Sequence, residues 1–329
     1  MSRLLASLTS LSVVGCCFSP PAPHVGAASA SPPPATPVHA PPARAPSVAV
    51  EDPLELTQRQ SVAISRACAS DDDRVAQAEQ RYASWVDMDR GPTCRERYVD
   101  YGVYSLLLAP ACVQRLTEAQ TGDAALAAAA TAHLASLQRA DHLLDDANGY
   151  YDRESYRLDA CAHGGELHPQ LLTAFADFHR THAALDAVQT EIEDRAISAR
   201  IARLAADPTR HADFVIETVV DRARRMTRSL QRARLERSRL VVDDEAAVRD
   251  AIAAYTAVAD VIATEQEVSL ELRSRASVLS EDARAVAVRL DGSAFDRDEL
   301  ARIGGGEVFG SPQRVVAHYN ALIESYNQL

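Results

Sequence analysis

The chain has 329 residues, 47% of them hydrophobic, and a formal net charge of −12. That is length enough for a buried core, and more acid than a general nucleic-acid binder carries. All 34 basic residues are arginine, and without lysine a Gly-Lys-Ser/Thr phosphate loop is excluded.

In chain order, residues 1–15 have the parts of a secretory leader. Arg3 is the only charge, and Leu4–Val14 is an apolar run too short to span a bilayer. Val13-Val14-Gly15-Cys16 has the form of a lipoprotein processing site. The small Gly15 precedes a cysteine whose thiol takes up diacylglycerol; the leader is then cut and the new amine acylated. Two or three acyl chains on Cys16, at about 0.8 kcal/mol per buried methylene, make a stable anchor. Residues 16–50 are expected to form a disordered tether. Phe18–Ser47 holds ten of the sixteen prolines and one charge, Arg44, a composition that favours polyproline II and cannot bury a core.

From residue 51 onward the chain is rich in alanine and poor in glycine, proline and β-branched alternation, which predicts an all-α body. Helices are expected over 53–68, 71–88, 94–118, 123–147, 153–163, 168–206, 211–240, 243–278, 281–289 and 312–327. Thr121-Gly122-Asp123, Asn148-Gly149 and Asp207-Pro208 supply stops and caps, and Ser311-Pro312 supplies a cap followed by a first-turn proline. Val215, Val219, Met226, Leu230 and Ala233 recur at helical spacing, as do Ile252, Tyr255, Ala259, Ile262 and Val268. Long helices with short connections predict one domain over 51–329, an elongated antiparallel bundle with partly coiled-coil-like helices.

Two stretches carry a family resemblance. One is Tyr150-Tyr151-Asp152, Tyr156, Asp159, Leu167-His168-Pro169 and Phe175; the other is Tyr319-Asn320 with Tyr326-Asn327. Together they resemble the YiiG-like bacterial lipoproteins, a family of unknown function whose plan is a lipobox, a variable linker and an all-helical body. The resemblance covers roughly residues 90–329 and implies location and fold but no reaction. This chain departs from it in Gly164-Gly165 and in its body cysteines. The Tyr-Asn pairs, seven residues apart, are expected to fall on one helix face in a structural role.

The chemistry-bearing residues are few. Cys68, Cys94, Cys112 and Cys161 are candidate disulfide cysteines. They allow three full pairings, and no CxxC suggests zinc or redox chemistry. His163, His168, His179 and His182 invite a metal reading, and His179 and His182 share a helix face. With no third ligand in view, surface or capping roles are expected and no metal or cofactor is assigned. Cys161 with His163 or His168 could be a thiol and its base, but no oxyanion hole accompanies them, so a disulfide half is preferred. Gly304-Gly305-Gly306 and Gly310 are read as a flexible connection, and neither GxSxG nor HExxH occurs.

Arg222–Arg239 holds eight arginines and one acid, Glu236. Arg222, Arg224, Arg225, Arg228 and Arg232 are therefore the candidate surface for an anionic lipid, glycan or protein partner. The competing expectation is internal pairing with Asp243-Asp244-Glu245 and with Glu265, Glu267 and Glu271. Taken together, the sequence predicts a non-enzymatic binding or scaffolding module, held extracytoplasmically to the envelope membrane by its N-terminal lipid, with no nucleic-acid partner. A purely structural envelope role, and a hydrolase with an unrecognised site, are the alternatives.

Overall fold

A computed structural model describes residues 52–99, 103–120 and 123–329. The expected leader, Cys16 and the expected tether lie outside these residues, as do Thr121 and Gly122. The described chain is all-α, with ten α-helices and one two-stranded ribbon. It forms two compact units that divide between Ala196 and Ile197, each with its own apolar core. Composition does not change across 51–329, and the division falls within a continuous helix, where no breaker marks it.

The first unit contains α1 (Pro53–Ala83), α2 (Pro110–Ala119), α3 (Ala124–Asp152), α4 (Tyr156–Asp159) and α5 (Ala162–Ala205) as far as residue 196. Asp52 caps α1 by accepting the Leu54 amide at 2.9 Å, and Pro53 occupies the first turn. The break expected near residue 70 does not occur. Asp71, which could have capped a new helix, is fully buried and accepts the Ala109 amide at 3.0 Å, so it holds the entry to α2 instead.

The helix expected from residue 94 is also replaced. Only its end, α2, is helical, because Cys94 and Leu107 take left-handed backbone angles of 56° and 51°. Arg74 Nη1 donates to the Leu106 carbonyl at 3.2 Å, satisfying backbone that has left the helix. Conversely, α3 continues through Asn148-Gly149. Ala147, Tyr150 and Tyr151 are buried there, and that burial outweighs the roughly 1 kcal/mol helix penalty of one glycine. The helix expected over 153–163 shrinks to α4, after which Ala160 and Cys161 are left-handed.

Helix α5 runs through both Gly164-Gly165 and Pro169. Gly164 has a packing reason. A Cβ there would lie 3.0 Å from both Cys161 Sγ and Tyr151 Oη. The four body cysteines pair as Cys68–Cys112 and Cys94–Cys161, joining α1 to α2 and the 84–109 segment to the start of α5.

The second unit contains the rest of α5, then α6 (His211–Ser229), β1 (Arg234–Glu236), β2 (Arg239–Val241), α7 (Glu245–Ile262), α8 (Leu270–Leu290), α9 (Arg297–Arg302) and α10 (Pro312–Tyr326). Asp207 accepts the Thr209 amide at 3.0 Å and starts the turn that leads into α6. The helix expected over 211–240 ends at Ser229 because Arg237 and Ser238 are left-handed and close an antiparallel ribbon that pairs Leu235 with Leu240. The expected 243–278 helix is interrupted after α7. Ser269 then caps α8, which absorbs the segment expected separately at 281–289.

Helices α6, α7, α8 and α10 pack on one another. Val215, Val219, Met226, Leu230, Ile252, Tyr255, Ala259 and Ile262 are buried there. Tyr319 is buried and Tyr326 donates to Glu217, whereas Asn320 and Asn327 are exposed, so any register role belongs to the tyrosines.

Candidate functional site

Three helices of the first unit bring Asp72 (α1), His133 (α3) and His182 (α5) to one point. His133 Nε2 lies 3.0 Å from Asp72 Oδ1, and His182 Nδ1 lies 3.5 Å from Asp72 Oδ2. One donor atom from each residue falls within 4.8 Å of the other two. The His133 side chain is fully buried, that of Asp72 is 17% exposed and that of His182 is 46% exposed, so the cluster runs from the core to the surface. Phe178 stacks on His182 with ring centroids 5.6 Å apart and also contacts His133.

Asp72 and His182 favour each other's charged form. Burial raises the Asp72 carboxyl, but hydrogen bonds to His133 and His182 outweigh it and hold the carboxyl below its ordinary value. His182 is held above its ordinary value, first by the Asp72 hydrogen bond, against burial, and then by the charges of Asp72, Asp186 and Asp73. Thr181, His133 and Asp72 have the order hydroxyl, base, carboxylate. However, Thr181 is buried, and its hydroxyl lies 3.0 and 3.1 Å from the carbonyls of Asp177 and Phe178, so no substrate reaches it.

The structure separates the histidines that the sequence grouped. His179 contacts Glu79 at 2.6 Å. His163 lies near Asp146 and Glu166 and packs on Tyr150. His168 is buried, with Nε2 donating to the Met88 carbonyl at 3.2 Å and Nδ1 accepting from the Tyr82 hydroxyl at 3.0 Å. Gly91 packs against the His168 ring at a left-handed φ of 81°. Cys161 is in a disulfide, so it is not a thiol for any of these histidines.

Of the earlier histidine set, only His182 joins the cluster. Its partners lie 49 and 110 residues away in sequence, beyond the reach of any local motif. The one local signal is the Asp71-Asp72-Asp73 run.

The candidate arginine surface is not one face. Arg222 and Arg232 are exposed and Arg225 and Arg228 are half-buried. Arg224 is buried against Asp221, which it meets at 2.9 Å and which also takes Arg225. The reason is that α6 turns this stretch toward its core and the ribbon redirects the rest. Of the acids expected opposite, Asp243 pairs with Arg234, Glu245 with Arg249, Glu265 with His211 and Glu271 with Arg275.

An open hollow of about 830 Å³ lies beside the Cys94–Cys161 bridge, lined by Thr93, Arg95, Glu96, Val99, Tyr156, Arg157 and Ala160. Among the described residues, no helix is long and apolar enough to cross a membrane.

No curated protein and no solved structure matches the chain. A family model described as a protein of unknown function, DUF3829, matches residues 66–328, which takes in both helical units and the Asp72–His133–His182 cluster. The chain belongs to the DUF3829 family of proteins of unknown function.

Proposed function

We propose that this protein is a lipid-anchored, extracytoplasmic module that binds or scaffolds at the bacterial cell envelope without catalysing a reaction. The observation that carries this reading is the pairing of all four body cysteines into two disulfides. Such bridges persist in oxidising compartments and are rare in a reducing cytosol. The Gly15-Cys16 processing site supports the same address.

A binding role fits the open hollow by the Cys94–Cys161 bridge, which offers Arg95, Arg157, Glu96 and Tyr156 to a ligand. Its cysteine is in a disulfide, and the buried Thr181–His133–Asp72 chain has no substrate access, which favours binding over catalysis.

The test is the intact mass of membrane-extracted protein, wild type and Cys16→Ala, after alkylation without reductant. The expected wild type starts at Cys16, carries acyl mass, and has no alkylation at Cys68, Cys94, Cys112 or Cys161. The Cys16→Ala chain should lack the acyl mass. An unacylated wild type with four alkylated body cysteines would overturn the reading.

A further inference from the structure

We propose that Asp72, His133 and His182 form a binding site for a divalent first-row transition-metal ion, with Zn²⁺ the best match. The site stands on geometry within the first unit and does not depend on the envelope reading.

Donors bound tetrahedrally to zinc at about 2.0–2.2 Å lie roughly 3.3–3.6 Å from one another. His133 Nε2 lies 3.0 Å from Asp72 Oδ1 and His182 Nδ1 lies 3.5 Å from Asp72 Oδ2, and one donor atom from each residue falls within 4.8 Å of the other two, so small side-chain shifts bring the three to that spacing. Two imidazoles and one carboxylate select zinc-like ions over magnesium or calcium, which prefer oxygen alone. Three protein ligands leave a fourth position for water.

The surroundings of His133 offer the support that a ligating imidazole uses. Its Nδ1 lies 3.5 Å from Thr181 Oγ1, which also lies 2.7 Å from Ser136 Oγ and 3.0 and 3.1 Å from the Asp177 and Phe178 carbonyls. In the tautomer in which Nδ1–H donates to Thr181, the Nε2 lone pair faces Asp72 Oδ1 at 3.0 Å, as a metal-ligating histidine requires. In that tautomer a cation between the two acceptors satisfies both, whereas in the other Nε2–H donates to Asp72 directly.

The second imidazole and the second carboxylate oxygen converge on the same place, which a proton alone does not require. A ligating histidine held through its other nitrogen is the usual support for a metal site. The 46% exposed His182 provides an entry path, while His133 supplies the rigid, buried side.

The experiment titrates Zn²⁺ into the intact, chelator-stripped chain by calorimetry and records the visible spectrum with Co²⁺ as a substitute. The wild type should bind one Zn²⁺ at this site, melt at a higher temperature with zinc, and give the intense visible bands of four-coordinate Co²⁺. His182→Ala is the main variant because its side chain is half-exposed and circular dichroism can verify the fold. It should lose roughly 100-fold or more in affinity, together with the Co²⁺ bands. Thr181→Val removes the hydroxyl beside Nδ1, together with its contacts to Ser136 and the Asp177 and Phe178 carbonyls, and, once circular dichroism shows it folded, should weaken binding about 10–100-fold. His179→Ala, on the same helix but paired with Glu79, should bind as wild type does.

Absence of Zn²⁺ binding in the wild type, or equal binding by folded His182→Ala, would overturn the site. The centre between His133 and Asp72 would then be a proton.

Discussion

Two adjacent glycines, Gly164 and Gly165, show how differently neighbouring residues of one helix are constrained. Both lie in α5, where alanine is intrinsically favoured over glycine by about 1 kcal/mol. A Cβ on Gly164 would meet Cys161 Sγ and Tyr151 Oη at 3.0 Å, whereas one on Gly165 meets nothing within 4 Å. Gly165→Ala should therefore stabilise the protein by up to about 1 kcal/mol. Gly164→Ala should destabilise it, because overpacking of about 1–3 kcal/mol exceeds the helix gain. Urea midpoints of the two variants give the comparison, and equal shifts would refute the packing account. Sequence alone shows only that both glycines are unusual in a helix. Which one has a neighbour at its Cβ depends on Tyr151 and on the bridge to Cys94.

At the scale of elements, the helices of the second unit are joined by a buried carboxylate. Asp282 on α8 is fully buried and takes Arg314 Nε at 2.7 Å and the His318 imidazole, both from α10. Removing one member of a buried ion pair costs about 3–5 kcal/mol, and the partial exposure of Arg314 and His318 puts Asp282→Ala near the low end, about 3 kcal/mol. Asp260→Ala breaks an exposed pair with Arg284 and should cost less than about 1 kcal/mol. Denaturant unfolding of both variants tests the contrast, and equal costs would show that Asp282 does not fasten α10 to α8.

Element boundaries were legible where a local cap made them. Ser311 accepts the Arg314 amide before Pro312, and Asp207 accepts the Thr209 amide before Pro208. They were illegible where a long-range partner decided, as at Asp71, whose side chain caps the backbone at Ala109 instead of its own helix. The ribbon after α6 is a further case, since the arginine-rich stretch has strong helix formers but closes through left-handed Arg237 and Ser238.

For the molecule as a whole, the buried tyrosines set an alkaline limit on stability. Burial, reinforced by the hydrogen bond to Asp159, pushes the Tyr150 hydroxyl up to about 12, from 10.0. Burial likewise pushes Tyr82, Tyr151, Tyr255 and Tyr326 upward, so both units are affected. Each phenol is raised in the folded state, so the unfolded chain loses its protons first. The stability they confer is complete below about pH 10 and is lost as pH rises toward 12 and beyond. Urea midpoints should hold steady between pH 8 and 9.5 and fall above pH 10, in step with tyrosinate absorbance on unfolding. A midpoint that stays constant through pH 11.5 would show that these phenols ionise alike in the folded and unfolded chains.

The sequence by itself determined the helical class. Abundant alanine, scarce glycine and proline after residue 50, and apolar residues at helical spacing act through local backbone and burial preferences that need no distant partner. It also determined that four cysteines and a set of histidines were the residues to watch. Only the tertiary structure decided which cysteines pair, that the body holds two cores, that Arg224 faces inward, and that His182 meets Asp72 and His133. The reason is range. Helix propensity and capping act over a few residues, whereas these contacts join side chains 44 to 110 positions apart, or depend on which face the packed helices bury.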